Sequence, residues 1–329
     1  MGRAPAFGTL VERYVAEIRT YPQPPAETTI YELSRKLERI GSILSDLEQS
    51  GKISTTDPRD FDDTTVGAFL SFMKAKNWSP AYQVKMKEAL GKIMSFVENN
   101  TLRKLEEKGM VRLNDVPPEI YPKGRLWLQE SLQRLESLPD SWPVKVVRFA
   151  IQAYFWTMLR TKELRMAKLS DLETRQWTMK VSVPKGQGRW ASQNSRIDIV
   201  SELRPAFSDF LHDREEMLSE MEIAEAEPLI PTMHGIYYTG TGWSQNRCRV
   251  FRSAGIDTHP GDGYRILRPS GANFVKDELN LSLETTSALL RHTNPATTVK
   301  FYARMKSVKA WNELERALEA QRQVSPNAP

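Results

Sequence analysis

Apolar residues recur along the first hundred positions at alternating steps of three and four. After a proline-rich loop from Tyr21 to Ala26, Ile30, Leu33, Leu37, Ile40, Leu44 and Leu47 make one such row, the face of an amphipathic helix closed by Gly51. A shorter helix is expected over Thr64 to Lys76. Ser79 is a good N-cap and Pro80 suits the first helical position, so a third helix starts there. It turns Met86, Leu90, Ile93 and Val97 inward and carries Lys85, Lys87 and Lys92 elsewhere. Together these rows predict a compact helical domain.

The segment 101–124 is charged and then punctuated by Pro117, Pro118 and Pro122, the pattern of a linker that begins as a helix extension and ends extended. Helical patterning resumes at Leu126. Between Val144 and Leu159 apolar residues fall nearly all round, with Val147, Ile151, Tyr154, Phe155 and Met158 among them, so this helix is expected at the centre of a second domain. The period then changes. Trp177, Met179, Val181 and Val183 alternate with Thr178, Lys180 and Ser182, and the run from Arg196 to Val200 alternates again. With the turn-rich Pro184-Lys185-Gly186-Gln187-Gly188 between them, they predict a hairpin. From Glu202 the pattern is helical once more, interrupted by a loop from Gly235 to Gly242. The expected fold class is mainly α (α+β): a helical domain over 1–105, a linker over 106–124, and a mixed α/β domain with a small antiparallel sheet over 125–329. A tail helix from Lys306 to Gln321 would end it, with Val308, Trp311, Leu314 and Leu318 on one face.

Composition changes this picture little. Forty-six Lys and Arg stand against 41 Asp and Glu, and the net charge of +5 suits a polyanionic partner without demanding one. Cys248 is the single cysteine, which rules out an intrachain disulfide and a cysteine-based zinc site and points to a reducing compartment. The four histidines, His212, His234, His259 and His292, lack metal-ligand spacing, so neither a metal nor a cofactor is expected. No apolar stretch approaches the ~18 residues of a membrane span, and the start MGRAPAFGTL lacks the apolar core of a signal peptide; the expectation is a soluble protein that stays where it is made.

The candidate chemistry lies in the second domain. Arg160 falls at the end of the buried helix, in Leu159-Arg160-Thr161-Lys162-Glu163-Leu164, and Lys185 falls in the hairpin turn. Arg265 and Arg268 are three apart, and His292 and Tyr302 ten apart. Singly, each has an ordinary explanation. Arg160 could pair with helix carbonyls or with Glu163, Lys185 could be a solvated turn lysine, and the two arginines a surface ion-pair row. His292 could be a structural histidine, and Tyr302, beside Phe301, a core aromatic. Their joint order is harder to explain that way.

That order resembles the catalytic domain of the tyrosine recombinases, the family of phage integrases and Xer-type resolvases, over roughly Leu126 to Lys306. Arg160 is followed by Glu163-Leu164, Lys185 lies in a hairpin, Arg265-Ile266-Leu267-Arg268 matches the His-x-x-Arg box, Leu290-Arg291-His292 the Leu-Gly-His box, and Tyr302 follows Thr297-Thr298. The N-terminal region resembles the family's SAM-like core-binding domain, whose third helix often begins Ser-Pro, as at Ser79-Pro80.

The resemblance implies a metal-independent enzyme that cleaves and rejoins specific DNA sites through a covalent 3′-phosphotyrosine on Tyr302, with strand exchange through a Holliday junction. A phosphodiester gains negative charge on attack, and bidentate, permanently charged guanidinium groups suit it. Arg160, Arg268 and Arg265 would form that clamp, and Glu163 would brace an arginine. The clamp would also favour the phenolate of a tyrosine whose ordinary pKa is near ~10. The phosphotyrosine bond then conserves the energy needed for rejoining. Lys185 would protonate the departing 5′ oxygen and His292 would donate a hydrogen bond to the phosphate.

Two positions depart from the pattern. Arg265 stands where the box usually begins with histidine, and arginine is a poor proton acceptor; His259 lies nearby at the wrong spacing. Arg291 stands where glycine is usual, adding positive charge.

The implied partners are a specific double-stranded DNA site, bound by a homotetramer assembled from monomers or dimers, and accessory DNA-bending proteins. No membrane partner is expected. The implied setting is the cytoplasm of a prokaryotic host, or a virus or mobile element. Lys85, Lys87 and Lys92 are the candidate DNA contacts of the helical domain. The tail helix would either pack on its own core or dock on a neighbouring subunit. Two alternatives remain at this point: a type IB topoisomerase-like enzyme, and a non-catalytic DNA-binding protein that retains the fold.

Overall fold

Helix α1 (Phe7–Arg19) opens the described part of the chain; the computed structural model describes residues 7–111, 113, 122–184, 195–257 and 263–292. By its internal contacts the chain divides into two units, Met1–Glu119 and Ile120–Pro329, each with its own apolar core.

In the first unit α1 packs on α2 (Glu27–Gln49), which buries the expected row from Ile30 to Leu47 and adds Ile43. Gly51, at φ +67°, takes the left-handed conformation that stops α2 where the sequence predicts. Next, α3 (Asp63–Ala75) is capped by Asp62, whose carboxylate accepts from the Thr65 amide and hydroxyl, each at 2.8 Å. Ser79 accepts from the Tyr82 amide at the start of α4 (Pro80–Phe96). Helix α4 buries Met86, Leu90 and Ile93, while Val97 falls just past its end and is half-buried. The helix extension in the linker is α5 (Thr101–Glu107), and its Leu102 and Leu105 join this core.

The second unit is built around one helix. After α6 (Arg125–Glu136) comes α7 (Trp142–Thr157), which buries eleven residues on all sides. It packs against α6, α8 (Thr161–Arg165), α9 (Arg204–Glu220), α10 (Gly240–Ser253) and α11 (Leu267–Asn273). Phe149 stacks on Phe210 with ring centroids 4.1 Å apart, and Phe207 meets it edge-on. Helix α11 runs on as a π-helical stretch, Phe274–Glu278, before α12 (Leu283–Leu289).

A three-stranded antiparallel sheet lies between α8 and α9, in the order β1 (Leu172–Glu173), β2 (Thr178–Lys180), β3 (Arg196–Asp198). Met179 pairs with both Leu172 and Ile197. The expected alternation holds, since Met179 and Val181 are buried, but the strands are shorter than predicted. Trp177, expected in the strand, is left-handed at φ +52° in the turn that follows β1, a strand the sequence pattern did not single out. The loop expected over Gly235 to Gly242 ends early: Thr239 caps α10, accepting from the Gly242 amide at 3.0 Å, so Gly240 to Gly242 form the first helical turn. The turn carrying Lys185 and the tail helix lie outside the described residues. No described helix is long and apolar enough to cross a membrane.

Candidate active site

Arg160 is not on the buried helix. Met158 takes the left-handed conformation at φ +51° and ends α7; Arg160 is extended and is the N-cap residue of α8. The turn is held from below. The Tyr154 hydroxyl donates to the Thr161 carbonyl at 2.9 Å and accepts from the Trp243 indole N–H at 3.1 Å. Both aromatic side chains are fully buried, so α7, α8 and α10 fix the arginine's backbone together.

Glu163 sits one turn into α8 with its side chain 1% exposed. Its Oε2 accepts from the Arg160 amide at 2.7 Å and its Oε1 from Arg160 Nη1 at 2.7 Å. A third donor comes from the other end of the unit: Arg291 Nη2 reaches Oε2 at 2.6 Å. Burial alone would push the Glu163 carboxyl up, but the charge of Arg291 and the hydrogen bonds of Arg160 outweigh it and hold it below its ordinary value. Nε and Nη2 of Arg160 make no hydrogen bond with a described residue, and the side chain is 25% exposed.

Arg268 begins α11. Its two Nη groups donate to the carbonyls of Met158 and Leu290, which fixes the plane of the guanidinium between α7 and α12. Helix α11 can come that close to α7 because residue 271 is glycine. A Cβ there would stand 2.0 Å from the Phe155 carbonyl oxygen, closer than any packing allows.

His292 follows α12, whose end has the Schellman pattern. The His292 amide bonds the Ser287 carbonyl at 3.1 Å, and the Arg291 amide bonds that of Ala288 at 2.9 Å. Burial, then the positive charges of Arg268, Arg160 and Arg291, depress the His292 imidazole to about 4. At neutral pH it is therefore uncharged and offers one N–H.

The structure thus brings Arg160, Glu163, Arg268 and His292 into one electrostatic cluster and adds Arg291, which the sequence marked only as a departure. The signal was there: a long cation at the position where a helix end favours glycine. Arg265 is exposed on the single 3₁₀ turn Tyr264–Ile266 and makes no hydrogen bond or ion pair with a described residue. It does not share a regular helical face with Arg268, because the 3₁₀ turn gives way to α-helix between them. Lys185, Tyr302 and His259 lie outside the described residues.

The three lysines of α4 differ from one another. Lys87 forms an ion pair with Glu106, and Lys92 lines a groove shared with Glu17, Glu88, Glu98 and Glu106. Lys85 is exposed and has no partner among the described residues.

No protein-family model matches the sequence, and no curated protein matches it. Solved structures do match its fold. A Tn1549 transposon integrase in complex with circular intermediate DNA superposes with a TM-score of 0.66 at 16% identity, covering 94% of this chain and 99% of that one. The XerH site-specific recombinase bound to its difH substrate gives 0.63 at 14%, covering 94% and 97%. A lambda integrase dimer bound to a COC′ core site gives 0.62 at 15%, covering 88% and 96%. All are tyrosine recombinases, and the chain has the tyrosine-recombinase fold.

Proposed function

We propose that this chain is a site-specific DNA recombinase that cuts and rejoins double-stranded DNA through a 3′-phosphotyrosine on Tyr302. The observation that carries the reading is the gathering of the Arg160, Arg268 and Arg291 guanidinium groups about the neutral imidazole of His292, with the buried Glu163 bonded to two of them. Such a cluster repels cations and suits an anion that gains charge in its transition state. The likeness to structures holding integrase and recombinase DNA substrates supports the same partner.

In this reading the Nε and Nη2 donors of Arg160 take non-bridging oxygens of the scissile phosphate. Arg268, held by two carbonyls, adds a second guanidinium, and neutral His292 adds one N–H. The Tyr302 hydroxyl gives up its proton to water and its oxygen attacks phosphorus, the bond to the 5′ oxygen breaks, and Lys185 supplies the proton that the 5′ oxygen takes up. Rejoining is the reverse, with a 5′ hydroxyl of the exchanged strand as nucleophile. Four protomers would pair two sites and pass through a Holliday junction, with DNA-bending proteins assisting, in the cytoplasm of a prokaryotic host or for a mobile element. Residues 1–105 would be the core-binding domain, 106–124 the linker and 125–329 the catalytic domain. Arg265, exposed and cationic, suits a neighbouring phosphate better than proton abstraction. Lys85 of α4 contacts the duplex backbone. The topoisomerase-like reading is not favoured, since the matched proteins are recombinases.

A duplex recovered from a random-sequence pool by binding to the full chain, then nicked beside the cleavage position, tests this. The wild type should accumulate a covalent protein–DNA band that Tyr302→Phe does not form. Tight, sequence-specific binding with no band from either protein contradicts cleavage and leaves a DNA-binding protein.

A further inference from the structure

Arg291 is in the wrong place for an ordinary surface arginine. It occupies the first position past α12, at φ +53°, in a helix-ending motif whose left-handed residue is usually glycine. A side chain there adds backbone strain that glycine avoids. The guanidinium is only 15% exposed, and burial pulls its pKa down against the pull of Glu163. Its Nη1 is buried with no hydrogen-bond partner among the described residues. Left-handed backbone and an unsatisfied donor both oppose stability, and glycine would relieve both while leaving the buried Glu163 carboxylate to Arg160. Features of that kind persist where a site needs the group.

The group's partner among the described residues, Glu163, shows the need. Glu163 Oε2 is shared between the Arg160 amide and Arg291 Nη2, while Oε1 is left to Arg160 Nη1. Without Arg291, only Arg160's main chain and side chain hold the carboxylate among the described residues. It could then rotate or take both outer nitrogens of Arg160, and Nη2, which has no hydrogen bond with a described residue, would be lost to it. With Arg291 in place, Oε2 is occupied on two sides and Arg160 is held by one nitrogen only.

We propose that Arg291 is a positioning residue: by bonding Glu163 it fixes the carboxylate that orients Arg160, leaving Arg160 Nε and Nη2 set toward the scissile phosphate. The inference rests on the recombinase reading for the phosphate, but the restraint on Arg160 is a property of the free protein.

Arg291→Gly and Arg291→Lys, made in the full chain, test both parts. Glycine suits the φ of the position, so the thermal midpoint of the glycine variant shows whether the fold is kept. In the free protein, ¹⁵N spectra of the Arg160 Nε–H should show hindered guanidinium rotation in the wild type, faster rotation with glycine, and partial recovery with lysine. On the nicked selected duplex, the glycine variant should bind within about threefold of the wild type and form the covalent band about ten- to a hundredfold more slowly. Lysine should recover part of that rate. Unchanged Arg160 rotation in a folded Arg291→Gly protein overturns the proposal. So does a wild-type cleavage rate, or a fall in binding as large as the fall in rate, which marks Arg291 as a simple phosphate contact. If the wild type itself forms no band, the recombinase reading fails, and the rotation measurement still decides the positioning claim.

Discussion

Glu163 and Arg291 form an ion pair at 2.6 Å across 128 residues of sequence, and it ties the start of α8 to the end of α12. Breaking one side of a buried pair leaves the other charge uncompensated. Glu163→Gln should therefore destabilise the second unit by about 3 kcal/mol at neutral pH, read by urea unfolding. The pH dependence has a definite sign. The folded carboxyl titrates below its unfolded value, so its stabilisation is full above that value and disappears as pH falls through the folded one. Wild type and Glu163→Gln should differ most at neutral pH and converge in acid. A constant gap across the acid range would contradict the pair's role.

His292 should titrate with a midpoint near 4 in the free protein, against an ordinary 6.5, as followed by its imidazole resonances. Because the folded value is depressed, the unfolded chain takes up this proton first, and the group lowers stability as pH falls from about 6.5 towards 4. Binding a phosphate-bearing duplex beside it should raise the midpoint. A free-protein midpoint at or above 6.5 would mean that the arginines do not surround it.

Gly271→Ala should be among the most damaging small substitutions in the chain. The added methyl meets the Phe155 carbonyl, a backbone atom with no rotamer to change, so α11 must move off α7. We expect a loss of about 3 kcal/mol or more, and a matching displacement of Arg268 from the Met158 and Leu290 carbonyls. Chemical denaturation measures the first, and adduct formation on the nicked duplex the second.

The lysines of α4 should separate in a salt titration of DNA binding. Lys85→Ala should reduce the slope of log affinity against log salt by about one, as the loss of one phosphate contact does. Lys87→Ala should leave it unchanged, because Glu106 already neutralises that ammonium. Equal effects from the two would place the duplex on a different face.

What was legible in the sequence follows from what periodicity reports. The rows of α2 and α4 and the all-round apolarity of α7 encode burial directly, and the structure buries those residues except Val97, which falls past the end of α4 and is half-buried. Ser79 and Gly51 mark helix ends through local chemistry alone. The short β1 escaped because two residues carry no period. Arg160 was assigned to the helix end because nothing local announces that Met158 turns left-handed; the break is set by the Tyr154–Thr161 hydrogen bond and the packing of Trp243 beneath. Arg160, Arg268 and His292 were singled out through their order in the chain. The part played by Arg291 was not, since a contact with Glu163 depends on how two distant helix ends meet.

Tyr302 is the residue proposed to become linked to DNA. Trapping the adduct on the nicked selected duplex, digesting protein and DNA, and sequencing the modified peptide by mass spectrometry tests it most directly. The account predicts a nucleotide 3′-phosphate on Tyr302, with a free 5′ hydroxyl on the released strand. A nucleotide on any other residue, or a 5′-phosphate linkage, would contradict it.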